Sequence, residues 1–342
     1  MRRKIVVAIL VLFALGVAAS AVGYNFLYGD RVRLGDKERL LIIVPENSYE
    51  EVFAMITDSL DIENPGILDW VAKRKSYPSL IKPGRYIFSG EMSYIAVIDR
   101  LRSGDQQPVK VIFNNIRTLN DLAGKVGEQI EADSAEIIDF IGDSSNYAKD
   151  GFSRETVIAL FIPNTYEMYW NTSAEGFYKR MLQEYNKFWN EERRNKAAAK
   201  GLDPIDVSIL ASIIDDEVVK ADEKPRIAGV YLNRLERGML LQACPTIKFA
   251  LNDFTITRVL NKHLVVESPY NTYKYKGLPP GPIGCPTIEG IEAVLNAEEH
   301  DYIFFAAKSD FSGYHNFSKT LGEHNRYADE YQRELDKRRI FD

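Results

Sequence analysis

The chain lacks any excess of positive charge. Over 342 residues, 43 basic side chains stand against 49 acidic ones, a net charge of −6, with no basic stripe along the sequence. That leaves no electrostatic case for nucleic acid as a partner. Histidine is equally sparse: His263, His300, His315 and His324 form no HExxH and no Cys/His pairing at zinc spacing. No metal centre is therefore expected, and no cofactor. Internal repeats are absent as well. What remains is an ordinary globular composition, 45% hydrophobic and 27% charged, long enough to bury at least one large core and to build two folded units behind any leader. Nineteen Tyr and seventeen Phe leave aromatic surface for stacking on sugar rings, although most aromatics in any protein are core.

A long run without charge occurs once. Ile5 to Leu27 follow Arg2, Arg3 and Lys4 and precede Asp30 and Arg31. As a helix this run spans roughly 34 Å, enough for a bilayer core of about 30 Å. The basic tail, residues 1–4, should stay cytoplasmic and place the body beyond the inner membrane. Ala19-Ser20-Ala21 offers the competing reading of a cleaved signal peptide, but the apolar run continues through Val22 to Leu27, which favours a single-pass anchor over residues 5–27.

Leu40 to Val44 reads as a short buried strand. Ser48 and Glu51 form a capping box that opens a helix with Val52, Ile56 and Leu60 inward. A second helix is expected at Ile67 to Lys73, a turn at Lys82-Pro83-Gly84, a returning strand at Arg85 to Phe88, and a helix from Ser93 to Arg102 that stops at Gly104. This order, with its KPGRY turn, resembles a LysM-like module of the kind that grips N-acetylglucosamine chains. A small α+β spacer that positions the rest of the chain is the other reading.

Further on, Val109 to Phe113 is an expected strand, Leu119 to Ile130 and Glu136 to Ile141 are expected helices, and Gly142 to Gly151 is a polar loop. The run FIPNTY should turn and leave Asn164 and Tyr166 at an exposed corner. Phe177, Met181, Tyr185 and Phe188 recur at helical spacing on a long helix that ends in Lys196-Ala-Ala-Ala-Lys200.

The stretch from Asp203 to Gln242 carries the chemistry. Asp203 can cap a helix and Pro204 suits its first turn. Ile205, Ile209 and Ile213 then define a buried stripe on which Glu217 is the next position. A carboxylic acid therefore falls where a core residue belongs, near a helix C-terminus and beside Asp215 and Asp216. Carbonyl dipoles, like charges and burial all disfavour its ionised form and raise its pKa, as a general acid at neutral pH requires. A solvated helix end with three surface acids is the bland alternative.

ASIIDDE, KPRIAGVYLNRLERGMLLQ, CPTIKFAL, YNTYKYKGLPPGPIGCP and HNFSKTLGEHN, with FIPNTY upstream, together resemble the YceG-like family of endolytic murein transglycosylases. The resemblance implies an α+β catalytic domain over residues 106–342, behind a LysM-like βααβ module over 36–105 and the single N-terminal transmembrane helix. It assigns Glu217 the catalytic place and Asp215 that of a supporting acid. Asp216 stands where Lys is common, adding a negative neighbour that should raise the pKa of Glu217 further.

The implied reaction cleaves the β-1,4 bond between N-acetylmuramic acid and N-acetylglucosamine and leaves 1,6-anhydro ends. The implied partners are peptidoglycan glycan strands, the membrane and peptidoglycan synthases. A muramidase-type hydrolase and a catalytically silent glycan-binding scaffold are the rival readings. Within the matched motifs, Tyr166, Asn233, Gln242, Thr246, Tyr270, Asn271 and Asn316 are candidate substrate contacts, with packing or capping as the alternative for each. His315 and His324 stand between groove and surface roles, and the GLPPGP loop should stiffen a groove wall. Cys244 replaces the usual Asp before Pro-Thr, and Cys285 lies in a loop expected to line the same groove. A Cys244–Cys285 disulfide and two free buried thiols are both open.

Overall fold

The computed structural model describes the backbone of residues 2–338; within the first helix, the side chains of residues 2–6, 8, 19, 22, 26 and 27 lie outside the described ones. Helix α1 (Arg2–Tyr28) takes in the stretch expected to cross a membrane. Among the described residues no helix is long and apolar enough to do so. Of the basic tail at residues 1–4, residue 1 and the side chains of residues 2–4 lie outside what is described.

The chain divides into two compact units. One comprises Met1–Lys110, Gln129–Glu131 and Glu167–Thr172, and the other Val111–Glu128, Ala132–Tyr166 and Ser173–Asp342. In the first, β1 (Val32–Ile43) is followed by α2 (Tyr49–Ser59), α3 (Pro65–Arg74), β2 (Gly84–Met92) and α4 (Tyr94–Ser103). The strands pair antiparallel, Leu40 opposite Ile87 and Ile43 opposite Gly84.

The capping box at Ser48 and Glu51 forms as expected, and α4 stops at Gly104, which adopts φ 75°. Two details differ from expectation. β1 begins at Val32 rather than Leu40, because in its first half only Val32 and Leu34 are apolar and no apolar run announces it. Its second half is not buried on both faces: Leu41 and Ile43 point into the core, whereas Leu40 and Ile42 are exposed. That alternation is what a strand with one solvated face requires. The core beneath it gathers Val52, Ile56, Leu68, Tyr86, Phe88 and Leu101.

The chain continues through β3 (Val109–Phe113), α5 (Leu119–Gly127), α6 (Ser134–Gly142), β4 (Asn164–Met168), α7 (Ala174–Phe188), α8 (Glu191–Ala199), α9 (Pro204–Glu217), α10 (Lys224–Glu236), α11 (Cys244–Leu251), α12 (Ile288–Leu295), β5 (Phe304–Ala307), β6 (His315–Ser318) and α13 (Leu321–Lys337). β3 pairs with β4, and β5 pairs antiparallel with β6. This is a mixed α+β architecture. The single long helix expected before residue 200 is two, because the chain leaves the helix at Trp189 and Asn190 caps α8 by accepting from the Arg193 amide at 3.0 Å. Phe177, Met181 and Tyr185 are buried as their spacing required.

At the centre of the second unit lies α9. Asp203 Oδ1 accepts from the amides of Ile205 at 2.7 Å and Asp206 at 2.8 Å, and Asp206 returns the contact to the cap. The expected stripe is too narrow a description, since every residue from Val207 to Ile214 is buried. Helices α8, α10, α11 and α12 pack around it, so α9 has no solvent face in its middle turns. Its two serines are satisfied locally: Ser208 donates to the Pro204 carbonyl, and Ser212 donates to the Ile209 carbonyl while accepting from the Ile283 amide. We expect Asp203→Ala to destabilise the protein by about 1 to 2 kcal/mol through loss of the double cap, read as a lowered urea midpoint with an unchanged m-value.

Candidate active site

Glu217 is the last residue of α9. The residue is half-buried, but its Oε2 is shut off from solvent and, among the described residues, meets no hydrogen-bond partner. An unsatisfied buried carboxylate oxygen is costly, and the ordinary response is to take up a proton. Burial is the main cause that raises the pKa of Glu217 from its ordinary 4.5 to about 7. The ammonium of Lys248, on α11, works against this, and the Asp216 carboxylate adds a smaller upward push.

The neighbouring acids have other commitments. Asp216 Oδ1 accepts from the guanidinium of Arg117 at 3.0 Å, and that guanidinium lies over the ring of Phe254 at 4.5 Å. The expected effect of Asp216 on Glu217 has the right sign but ranks behind burial, because Arg117 offsets much of its charge. Asp215 is held more tightly. Its Oδ1 accepts from Lys224 Nζ at 2.9 Å and from Thr287 Oγ1 at 2.9 Å, and its Oδ2 accepts from the Thr287 amide at 2.7 Å. Thr287 caps α12, and a Cβ on Gly290 in the first turn of that helix would fall 2.5 Å from the Asp215 carboxylate oxygens. The acid thus presses against the α12 terminus, where helix dipoles favour negative charge.

Other groups share the surroundings of Glu217. Its charge acts on Tyr231, Tyr273 and the Cys244 thiol. Burial, with a further push from Glu217, raises the thiol to about 11. Tyr231 is buried, and its hydroxyl has no partner among the described residues. Tyr231, Tyr273 and Lys248 escaped the sequence reading although all three stand inside the family motifs. Their signal was proximity, which no spacing rule reveals.

Of the two readings left open for Cys244 and Cys285, the structure has the free thiols and no disulfide. Each has a partner of its own. Cys244 Sγ lies 3.3 Å from the Tyr273 hydroxyl, and Cys285 Sγ donates to the Ile158 carbonyl at 3.8 Å while its amide donates to Ile116 at 2.8 Å.

Several candidate contacts use their polar atoms inside the protein. Tyr166 is not at an exposed corner: it is 6% exposed, its hydroxyl donates to the Ile162 carbonyl at 2.5 Å, and its ring stacks on Phe113. Asn233 donates to the carbonyls of His300 and Tyr302, fastening α10 to the strand region beyond. Thr246 is fully buried between the Ala243 carbonyl and Thr272. Asn271 is fully buried, donating to Leu264 and Val266 and accepting from the Tyr273 amide.

Gln242, Tyr270 and Asn316 are more open. Gln242 is exposed with φ 51°, Tyr270 packs beside Phe249 with ring centres 4.7 Å apart, and Asn316 stands opposite Ala306 on β6. His315 donates its backbone amide to the buried Glu223, with Nδ1 at 2.8 Å from the same carboxylate. His324 stacks on Phe304, and burial lowers its pKa.

A helix-borne acid held near neutral pKa, beside two acids that are ion-paired, presents one carboxyl group able to hold or release a proton near neutral pH. The family model described as "YceG-like family" matches residues 41–330, and the chain belongs to that family. The endolytic murein transglycosylase of Bacillus subtilis (strain 168) is 29% identical over 335 residues, covering 91% of each chain. The protein of the same name from Streptococcus pneumoniae serotype 2 is 26% identical over 338 residues, 89% of this chain and 61% of that protein. Among solved structures, a yceG-like protein of Listeria monocytogenes superposes with a TM-score of 0.55 at 26% identity, over 84% of this chain and 98% of that one.

The site yields two expected outcomes. Glu217 is raised from 4.5 to about 7, so between these values the folded state holds a proton that the unfolded state releases, and stability falls as pH rises until the loss is complete above about 7. Glu217→Gln should therefore match the parent's stability near pH 4 and exceed it at pH 8 by about 3 kcal/mol, in paired urea titrations. Lys224→Met removes the partner of a mostly buried carboxylate and should cost about 3 kcal/mol in the same assay at pH 7.

Proposed function

We propose that this chain is an endolytic lytic transglycosylase acting on nascent peptidoglycan. The observation that carries the reading is the contrast among three consecutive acids. Asp215 and Asp216 are ion-paired, whereas the buried oxygen of Glu217 has no partner among the described residues. Hydrolytic glycosidases need two working carboxyl groups, one on each face of the sugar. A single available acid suits a reaction in which the substrate supplies its own nucleophile. The names of the relatives in Bacillus and Streptococcus, both endolytic murein transglycosylases, support murein as the polymer and transglycosylation as the reaction.

In this reading the Glu217 carboxyl protonates the glycosidic oxygen between N-acetylmuramic acid and N-acetylglucosamine. The resulting carboxylate then takes the proton from the C6 hydroxyl of the muramic acid. That oxygen closes on C1 to leave a 1,6-anhydro end, and Glu217 returns to its protonated form. A pKa near 7 suits a group that must both give and accept a proton at neutral pH. Asp215 supports the acid at a distance by clamping the end of α9 to α10 and α12. Gln242, Tyr270 and Asn316 are the candidate contacts whose placement best suits sugar hydroxyl and acetamido groups.

The N-terminal parts complete the proposal. Residues 5–27 anchor the protein as one span in the inner membrane, the βααβ unit over 36–105 serves as a LysM-like glycan grip, and residues 106–342 work outside the cytoplasm. Peptidoglycan synthases are the partners this location provides. A mature N-terminus near Val22, read by mass spectrometry of the purified protein, would refute the anchor.

Mass spectrometry of digested glycan strands distinguishes the activities. Anhydro ends are expected; reducing ends would assign a hydrolase, and uncut strands a scaffold. Glu217→Gln should lower cleavage by at least about 10²-fold with the fold retained, and undiminished cleavage would remove Glu217 from the mechanism.

A further inference from the structure

A cleft of about 460 Å³ opens in the second unit, and of its lining residues Tyr270 alone, as a candidate sugar contact, enters the cleavage reading. Arg117, the partner of Asp216, stands on its wall, as does Phe249, the neighbour of Lys248 on α11. The cleft therefore adjoins the surroundings of Glu217 without including Glu217 itself.

Its lining is divided by chemistry. Ile138, Ile141 and Ile158 make an apolar floor, with the Tyr270 ring beside them. Pro282 closes one side, carried by a loop pressed so tightly on its neighbours that a Cβ on Gly281 would fall 2.0 Å from the Glu155 carbonyl. That wall cannot move back without unpacking the loop.

The rim carries charge of both signs. Arg154 is exposed and, among the described residues, is held by no hydrogen bond or ion pair. Beside it, the Glu155 carboxylate is steadied by Ser153 Oγ at 2.8 Å. The N-terminus of α5 also opens here through Thr118, Leu119 and Asn120. Its capping box occupies the Thr118 and Asp121 amides, and the Leu119 and Asn120 amides are the remaining donors of that first turn.

An unpaired guanidinium beside helix-terminal amides fits a carboxylate, the neighbouring acid fits an amine, and the apolar floor fits small aliphatic side chains. A bare glycan strand offers no such combination. The peptide stem on the lactyl arm of muramic acid does. The geometry points to this cleft as the seat of that stem, with the free backbone carboxylate of its γ-linked glutamyl residue between Arg154 and the start of α5, and the amine of its third residue toward Glu155. The identity of the stem rests on the transglycosylase reading.

The test uses the full chain carrying Glu217→Gln, titrated calorimetrically with N-acetyl-L-alanyl-γ-D-glutamyl-L-lysine. Saturable binding is expected, weakened about fivefold or more when the glutamyl α-carboxylate is replaced by its carboxamide, and about tenfold by a further Arg154→Gln. Arg154 is exposed, so an unchanged unfolding midpoint will separate lost contact from lost fold. Absence of saturable binding overturns the proposal, and so does binding indifferent to both changes. Binding of N-acetylglucosamine oligomers at the same residues in place of the peptide would overturn it too. No turnover is needed, so a negative titration leaves the cleavage reading intact, and a failure to find anhydro ends leaves the titration meaningful.

Discussion

The carboxylate of Asp215 joins three helices. It receives Lys224 from the start of α10 and both the amide and the hydroxyl of Thr287 at the cap of α12, while its own backbone belongs to the last turn of α9. Removing two charges from water is unfavourable unless the pair is well hydrogen-bonded, and here three donors reach the carboxylate. The consequence reaches Glu217, two positions on, whose direction is set by how the end of α9 is held. A Gly at 290 is the sequence cost of this arrangement, because a side chain there would collide with the carboxylate.

Burial all round α9 is the second constraint. A helix with no solvent face must satisfy its polar side chains internally, which Ser208 and Ser212 do through nearby carbonyls. Glu217, at the end of the helix, is the exception: among the described residues its buried oxygen meets no partner. The same enclosure lifts the Cys244 thiol and leaves the Tyr231 hydroxyl without a partner.

Much of the fold was legible from local signals. The caps at Ser48 and Asp203, the stop at Gly104 and the strand at Val109–Phe113 all rest on interactions within a few residues. The misses had non-local causes. The first half of β1 is mostly polar and is ordered by pairing with Glu91 and Met92 across the sheet and by burying Val32 and Leu34. Tyr166 stands in a turn-like motif, yet its ring is drawn into the core by Phe113. Asn233, Thr246 and Asn271 are residue types that suit sugar recognition, and only their surroundings reveal that backbone carbonyls already occupy them.

By itself the sequence determined that a capped helix would run from Pro204 into three acids and that Glu217 would continue its apolar stripe, because capping and periodicity act over one or two turns. It also carried, in its motifs, the family. Only the tertiary structure decided which acid is left unpaired. Arg117 reaches Asp216 across 99 residues of chain and Thr287 reaches Asp215 across 72, and nothing in local sequence specifies pairings of that span. Charge neutralised at two positions and withheld at the third is a property of packing, and it leaves one carboxyl group free to carry a proton near neutral pH.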